Sequence, residues 1–229
     1  MTIQMHDLAG ADPYLRFSPY CWRAKLALAH KGLAVDTVPW RFRDTAALGF
    51  SGQGRVPVIR DGAKIVADSW AIATYLEDAY PAAPSLFNGP GGRAHLRFLN
   101  AWADSVLNGG IFRLIVLDLF RVIDPGDQAY FRESREQRLG TTLEAAQAGR
   151  EARLDGFRAS LEPLRAVLRE QSFLGGAGPS YADHIVAGSL MWPWCASRFA
   201  LLAADDPLSA WWDRMADQYG GLMRGAKRA

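Results

Sequence analysis

The spacing Ser18-Pro19-Tyr20-Cys21 is that of a Cys-x-x-Cys redox pair with oxygen in place of the first sulfur. A cysteine at the first position attacks disulfides as its thiolate. A serine lacks that chemistry, but its hydroxyl can donate a hydrogen bond to a thiolate carried in by a ligand. The reactive sulfur then belongs to a bound thiol, which the site prepares to attack an electrophile. The same residues also read as a helix start, with Ser18 at the N-cap and Pro19 in the first helical position. Capping alone is therefore the second reading of Ser18. Cys21 follows one turn later and reads as a small buried apolar group.

Two further strings have types suited to the same site. Arg55-Val56-Pro57-Val58 is a short apolar strand that carries a proline. The N–H and C=O of Val56 can pair with an extended ligand as an added strand would. An ordinary edge-strand proline is the alternative. Asp68-Ser69 opens a helix. There the hydroxyl and N–H of Ser69 can hold a carboxylate, and Asp68 can pair with an ammonium. Plain N-capping is the other reading of this pair. Gln53 and Arg55 are candidates for a second carboxylate, with Trp40 and Arg41 behind them. For an apolar electrophile, Tyr14, Phe17 and Tyr20 lie near Ser18 in sequence. Phe112, Ile115, Leu119 and Trp194 can supply a facing wall, although each also reads as core.

These strings need a scaffold that brings distant segments together. Residues 3–8 read as a strand and 9–16 as a turn-rich loop. From 19 to 31, Cys21, Ala24 and Leu28 recur at helical steps, and Gly32 closes the helix. Residues 35–39 read as a second strand, completing β-α-β. Residues 56–60 and 64–67 flank Asp61-Gly62, a hairpin signal. Ile72, Leu76 and Ala79 stripe another helix. The order predicts a small sheet with helices packed on it. Residues 81–92 hold three prolines and three glycines and read as a linker. Beyond it the pattern is helical throughout. Leu96, Leu99, Trp102 and Val106 space a long helix, and 149–154 read as a charged connection. Leu161, Leu164 and Leu168 mark a further helix. Ser180-Tyr181-Ala182-Asp183 has the Ser-x-x-acid spacing of a helix N-terminus. Leu208, Trp211, Trp212 and Met215 close the domain. The expected division is 1–80, a linker over 81–92, and an all-helical domain over 93–229.

Composition narrows the partners. The chain has 229 residues, is 49% hydrophobic and 22% charged, and carries a net charge of +2. Its basic residues alternate with acids, as in Arg132-Glu133-Ser134-Arg135-Glu136, so no nucleic-acid footprint is expected. The two cysteines, Cys21 and Cys195, have no metal-like spacing, so no metal is expected, and their scarcity fits a reducing cytoplasm. The first residues show no basic region followed by an apolar core, so no signal peptide is expected. Residues 184–204 are apolar but include His184, Pro193 and Arg198. They predict a buried central helix and no membrane span.

Taken together, Ser18-Pro19-Tyr20-Cys21-Trp22-Arg23, Arg55-Val56-Pro57-Val58-Ile59 and Asp68-Ser69-Trp70 resemble the glutathione site of the cytosolic glutathione transferases. The resemblance covers essentially the whole chain. Arg132-Glu133-Ser134-Arg135-Glu136 and Gln147-Ala148-Gly149-Arg150-Glu151 are most similar to the bacterial β-aryl etherases and the fungal ether-active transferases. The fold this implies is a thioredoxin-like β-α-β-β-β-α domain followed by a helical bundle. It implies a homodimer that takes glutathione as cosubstrate and a small hydrophobic electrophile. Ser18 would be the catalytic residue, and Gln53, Arg55, Val56, Pro57, Asp68 and Ser69 would bind glutathione. The family places a cis peptide before Pro57. The reaction implied is thiol transfer to an aromatic electrophile, with aryl ether cleavage as the narrower form. A non-catalytic glutathione or hydrophobic-ligand carrier on the same fold is the competing reading.

Overall fold

The computed structural model describes residues 2–229. β1 (Ile3–Leu8) runs parallel to β2 (Val35–Trp40), with Ile3 opposite Val35, and α1 (Pro19–His30) makes the crossover that a parallel pair requires. β3 (Val58–Asp61) pairs antiparallel with β1 and with β4 (Lys64–Ala67), giving the order β2-β1-β3-β4. Asp61 pairs with Lys64, so the turn residues are Gly62-Ala63, one place beyond the expected dipeptide. Gly62 supplies the positive φ of 57° that the turn needs. β3 begins at Val58 and not at residue 56, because Pro57 has no N–H to give a ladder. The Val56–Pro57 peptide is cis. α2 (Ser69–Ala79) then packs back on the sheet. Met5, Leu26, Val58, Ile59 and Ile72 are buried between these layers.

Between α2 and the next helix, Leu86 and Phe87 are buried, and the Leu86 carbonyl accepts the N–H of Tyr181 at 2.7 Å. α3 (Pro90–Trp102) passes through a π-helical turn, Ala103–Leu107, directly into α4 (Asn108–Val122). A π turn widens the helix locally and breaks its 3.6-residue register. Leu107 is therefore buried while Val106, expected on the apolar stripe, is 38% exposed. α5 (Pro125–Leu139) and α6 (Leu143–Gln147) follow, then α7 (Arg150–Ala159), α8 (Glu162–Leu168), α9 (Tyr181–Ala196) and α10 (Pro207–Asp217).

The expected connection over 149–154 is instead the first half of α7. Its charges are satisfied by neighbouring helices. Arg150 donates to Asp118 Oδ2 at 2.6 Å and to the Leu114 carbonyl at 3.1 Å, and Arg153 donates to the Ala146 carbonyl at 2.8 Å. Charge density here marks helix-to-helix anchoring, and Phe157 buries the far end of the helix.

α9 is the central post, buried along nearly its whole length. Its capping box forms as the spacing predicts, with Ala182 N–H donating to Ser180 Oγ at 3.1 Å and Ser180 N–H donating to Asp183 Oδ2 at 2.9 Å. Against α9 lies α1. The buried Arg23 donates to the Ile185 carbonyl, Asn100 Oδ1, Asp104 Oδ1 and Ser189 Oγ at 3.3, 3.2, 2.8 and 3.1 Å. A Cβ on Gly188 would sit 2.7 Å from both Arg23 Cγ and the Pro19 carbonyl, so only glycine permits this approach. Among the described residues, no helix is long and apolar enough to cross a membrane.

Candidate active site

Ser18 has extended backbone angles (φ −64°, ψ 125°) and caps α1, its Oγ accepting the Cys21 N–H at 3.3 Å. It is only 4% exposed, yet it lines a cleft of about 560 Å³ between the sheet and the helical bundle. Accepting through one lone pair leaves its own O–H to donate into that cleft. The partial positive charge of the helix start lies at the same place, although Pro19 brings no N–H and those of Cys21 and Trp22 are taken by Ser18. Capping and cleft-lining are thus compatible roles of one hydroxyl. Burial, aided by the charge of Asp7, pushes the Cys21 thiol well above its usual range, which leaves it an inert core group.

Val56 and Arg55 face the same cleft. Pro57 is buried, and its carbonyl accepts the Asp68 N–H at 3.1 Å. That bond holds the start of α2 beside the Val56 loop. Asp68 adopts a left-handed φ of 79°, a costly conformation for a non-glycine residue, and caps α2 by accepting from Trp70 and Ala71 at 2.9 and 3.1 Å. Ser69 is buried next to it, its carbonyl accepting the Tyr181 hydroxyl at 2.9 Å. Gln53, Pro57, Asp68 and Ser69 are not part of the cleft lining, although Gln53 and Pro57 flank its 54–56 stretch in the chain. The Gln53 side chain donates to the Arg55 carbonyl at 3.0 Å and so supports the loop. Arg41 is tied to the Ala11 carbonyl and Asp124, whereas Trp40 lines the cleft.

Of the apolar candidates, Phe17, Tyr20, Phe112 and Leu119 line the cleft. Tyr14 is 76% exposed and lies outside it, and Ile115 is wholly within the core. Trp194 borders a different cavity of about 260 Å³, beside Trp212 and under Arg228. Two residues on a helix lie roughly 200° apart. Trp192 therefore faces the cleft where Trp194 cannot, and it stacks on Phe112 with centroids 5.7 Å apart. Phe42 also joins the lining. Its loop is pinned by Asp127 of α5, which accepts the Phe42 and Arg43 N–H groups at 2.9 and 3.1 Å.

The polar lining was not legible in the string motifs. Asp104 and Asn108 reach the cleft from the π turn and the start of α4. Arg113 comes from α4, and Arg135 and Arg138 come from α5. Burial foremost, and the Asp104 carboxylate next, raises the Tyr20 phenol above its ordinary range, so it is a hydrogen-bond donor at neutral pH. The i, i+3 spacing of Arg135 and Arg138 was the available signal, but it looks the same on a solvated face. Arg132 and Glu136 do pair on such a face, at 2.7 Å.

A thioredoxin-like domain joined to a helical bundle, with a helix-capping serine in the cleft between them, is the architecture of the glutathione transferase fold. Family models for the glutathione S-transferase N-terminal and C-terminal domains match residues 13–84 and 94–217. The chain belongs to the glutathione S-transferase family. It is similar to glutathione S-transferase Z2 of Arabidopsis thaliana, 32% identical over 107 residues, 44% of this chain and 46% of that protein. Glutathione S-transferase Z1 of the same plant is 33% identical over 94 residues, covering 39% and 41%. The matches thus span less than half the length of these curated relatives. Among solved structures, glutathione transferase GSTFuA3 from Phanerochaete chrysosporium is similar at 26% identity and a TM-score of 0.85, covering 94% of this chain and 96% of that one. The glutathione S-transferase CsGST63524 of Ceriporiopsis subvermispora, solved in complex with glutathione, shares the fold at 22% identity and a TM-score of 0.80, covering 96% and 97%.

Proposed function

We propose that this protein binds glutathione, activates its thiol through Ser18 and transfers it to a small apolar, aromatic electrophile, aryl ethers included. The observation that carries the reading is Ser18 at the start of α1, open to a cleft shared with Val56 and the Phe112–Trp192 stack. A free thiol titrates near ~8.5 and is mostly protonated at neutral pH. Lowering that value by about two units takes roughly 2.7 kcal/mol. A hydrogen bond to the charged sulfur supplies about 1.5–3 kcal/mol. The helix terminus adds up to ~2 kcal/mol in partly buried geometry. Together they suffice without a general base or a metal.

The remaining roles follow from chemistry. Val56 offers backbone N–H and C=O to the cysteinyl unit, with Pro57 shaping that loop. Ser69 takes the γ-glutamyl carboxylate and Asp68 its ammonium, while Gln53 and Arg55 stand near the glycine carboxylate. The sheet domain, 1–80, binds glutathione, and the helical domain, 93–229, walls the electrophile site beyond the linker. The thiolate sulfur bonds to the electrophilic carbon as the leaving group departs with its electron pair, as phenolate when an ether is cleaved. We further infer a cytoplasmic homodimer.

Steady-state turnover of glutathione with 1-chloro-2,4-dinitrobenzene tests the reading. Saturable conjugation that Ser18→Ala depresses is expected. Glutathione binding without turnover would make the protein a carrier. Release of a phenol from a β-aryl ether tests the narrower reaction.

A further inference from the structure

We propose that the electrophile accepted by this cleft is an aromatic compound bearing a carboxylate, and that Arg113, Arg135 and Arg138 of the helical wall hold that anionic group. The inference rests on the transferase reading above.

Three observations carry it. First, the cleft lining is cationic without compensation. Arg55, Arg113, Arg135 and Arg138 all face it, and the lining carboxylate Asp104 is already bound to Arg23 at 2.8 Å. Among the described residues, none of the four forms an ion pair with a carboxylate. Arg132, on the same helix as Arg135 and Arg138 but outside the cleft, has Glu136 and Glu144 at 2.7 and 2.8 Å. The same helix thus pairs an arginine where carboxylates are supplied, and it supplies none to the cleft.

Second, the guanidinium groups are braced by aromatic rings. Arg138 lies 4.4 Å over Phe112, and Arg135 lies 4.7 Å over Phe131 and 5.0 Å over Phe42. Stacking fixes the plane of a guanidinium and leaves its N–H fork pointing outward, the geometry that matches a carboxylate. Burial, with Arg138 and Arg55 nearby, lowers Arg135 below the usual guanidinium range. Crowded like charges are a standing cost that a bound anion removes.

Third, the same wall offers apolar aromatic surface, the half-buried Trp192 beside Phe112, against which an aromatic ring can pack near Arg138. The two glutathione carboxylates have candidates on the sheet domain, Ser69 and Arg55. The helical-wall arginines remain for the second substrate.

The probe pair is 4-chloro-3,5-dinitrobenzoate and its methyl ester, which share the reacting carbon. In each, the glutathione sulfur bonds to the chlorine-bearing carbon, chloride leaves with the bonding electrons, and the thiol proton goes to solvent. Enzymatic kcat/KM is divided by the rate with free glutathione, because the two rings differ in intrinsic reactivity. The expected result is a normalised preference for the carboxylate of about ten- to a hundredfold, the range of a charge-assisted contact, shrinking as salt is added. Arg138→Gln should lower this ratio about tenfold. Arg138 and Arg113 are both exposed, so each substitution is tolerated by the fold and Arg113→Gln is an independent second test. Equal normalised turnover of the two compounds overturns the proposal. So does a variant that raises KM for glutathione while leaving the ratio intact, since the arginines would then serve glutathione. Turnover of neither compound overturns the transferase reading, and this inference falls with it.

Discussion

Ser18 stands where a redox pair carries its first sulfur, and it caps α1. Its Oγ accepts a backbone N–H at the head of α1 and keeps a proton to donate. Ser18→Ala should therefore raise the pKa of bound glutathione by about one to two units, the worth of one hydrogen bond to a charged atom. Glutathione affinity should change little, because the contacts proposed for the tripeptide backbone would remain. Ultraviolet titration of the bound thiolate reads this directly. An unchanged curve would move activation to another donor, with Tyr20, protonated and in the cleft, the first candidate. Ser69→Ala should behave in the opposite manner. Its bonds would be remote from the sulfur and equal in ground and transition states, so glutathione affinity should fall more than kcat. Calorimetry showing unchanged affinity would sink the assignment of Ser69.

At the scale of elements, the position of Ser18 depends on α1 lying flat against α9. Gly188→Ala places a methyl 2.7 Å from the Pro19 carbonyl, next to Ser18. Overpacking of this kind costs about 1–3 kcal/mol. Here it should also lower kcat, because relief of the clash displaces the start of α1. A variant with lower melting temperature and unaltered kcat would show that α9, not α1, absorbs the shift. The start of α9 is held by Asp183, which accepts from Leu174, Gly175, Ser180 and Trp211 at 2.7, 2.9, 2.9 and 2.9 Å. Asp183→Ala leaves these donors unpaired in a buried place and should cost at least about 3 kcal/mol in chemical denaturation. Asp183→Asn, which keeps one acceptor oxygen, should cost less.

Two properties belong to the whole molecule. One is acid sensitivity. The Tyr219 hydroxyl meets His184 Nε2 at 2.7 Å and His30 Nδ1 at 2.9 Å, tying α1, α9 and the C-terminal segment together. Burial is the main cause that lowers both histidines, and it lowers His184 far below its usual range. Histidine in the unfolded chain titrates near ~6.5. Above that pH both states are neutral and nothing is lost. Below it the unfolded chain takes up protons that the folded one refuses, so stability falls as pH falls toward the lowered values. The loss should approach about 1.4 kcal/mol per pH unit for His184, with a smaller part from the more exposed His30. Denaturation at pH 7 and pH 5.5 should show it, and His184→Gln should flatten the slope by about one proton. The other property is assembly. Phe98 stands 77% exposed on α3, a large apolar group for a two-fold contact to cover. Sedimentation should give about twice the 25.2 kDa chain mass, with Phe98→Ser shifting it toward the monomer. A wild-type monomer at micromolar concentration would refute the homodimer.

What the sequence determined by itself was local. Ser18-Pro19 marked the head of α1, Asp61-Gly62 located a turn to within one residue, and Ser180 with Asp183 marked the start of α9. Capping, turn chemistry and apolar periodicity act over a few residues, so they can be read in order along the chain. Glutathione-site strings from separate segments gave the family because they too are local groups at helix and strand ends. What only the tertiary structure decided was which side of a helix meets which neighbour. Trp192 rather than Trp194 faces the cleft, Ile115 is core, and residues 150–159 form a helix because Asp118 and two carbonyls take up the charges of Arg150 and Arg153. The arginine wall belongs to the same class. A free arginine and a salt-bridged one have the same local sequence signature, and only the distance to a carboxylate distant in the chain tells them apart.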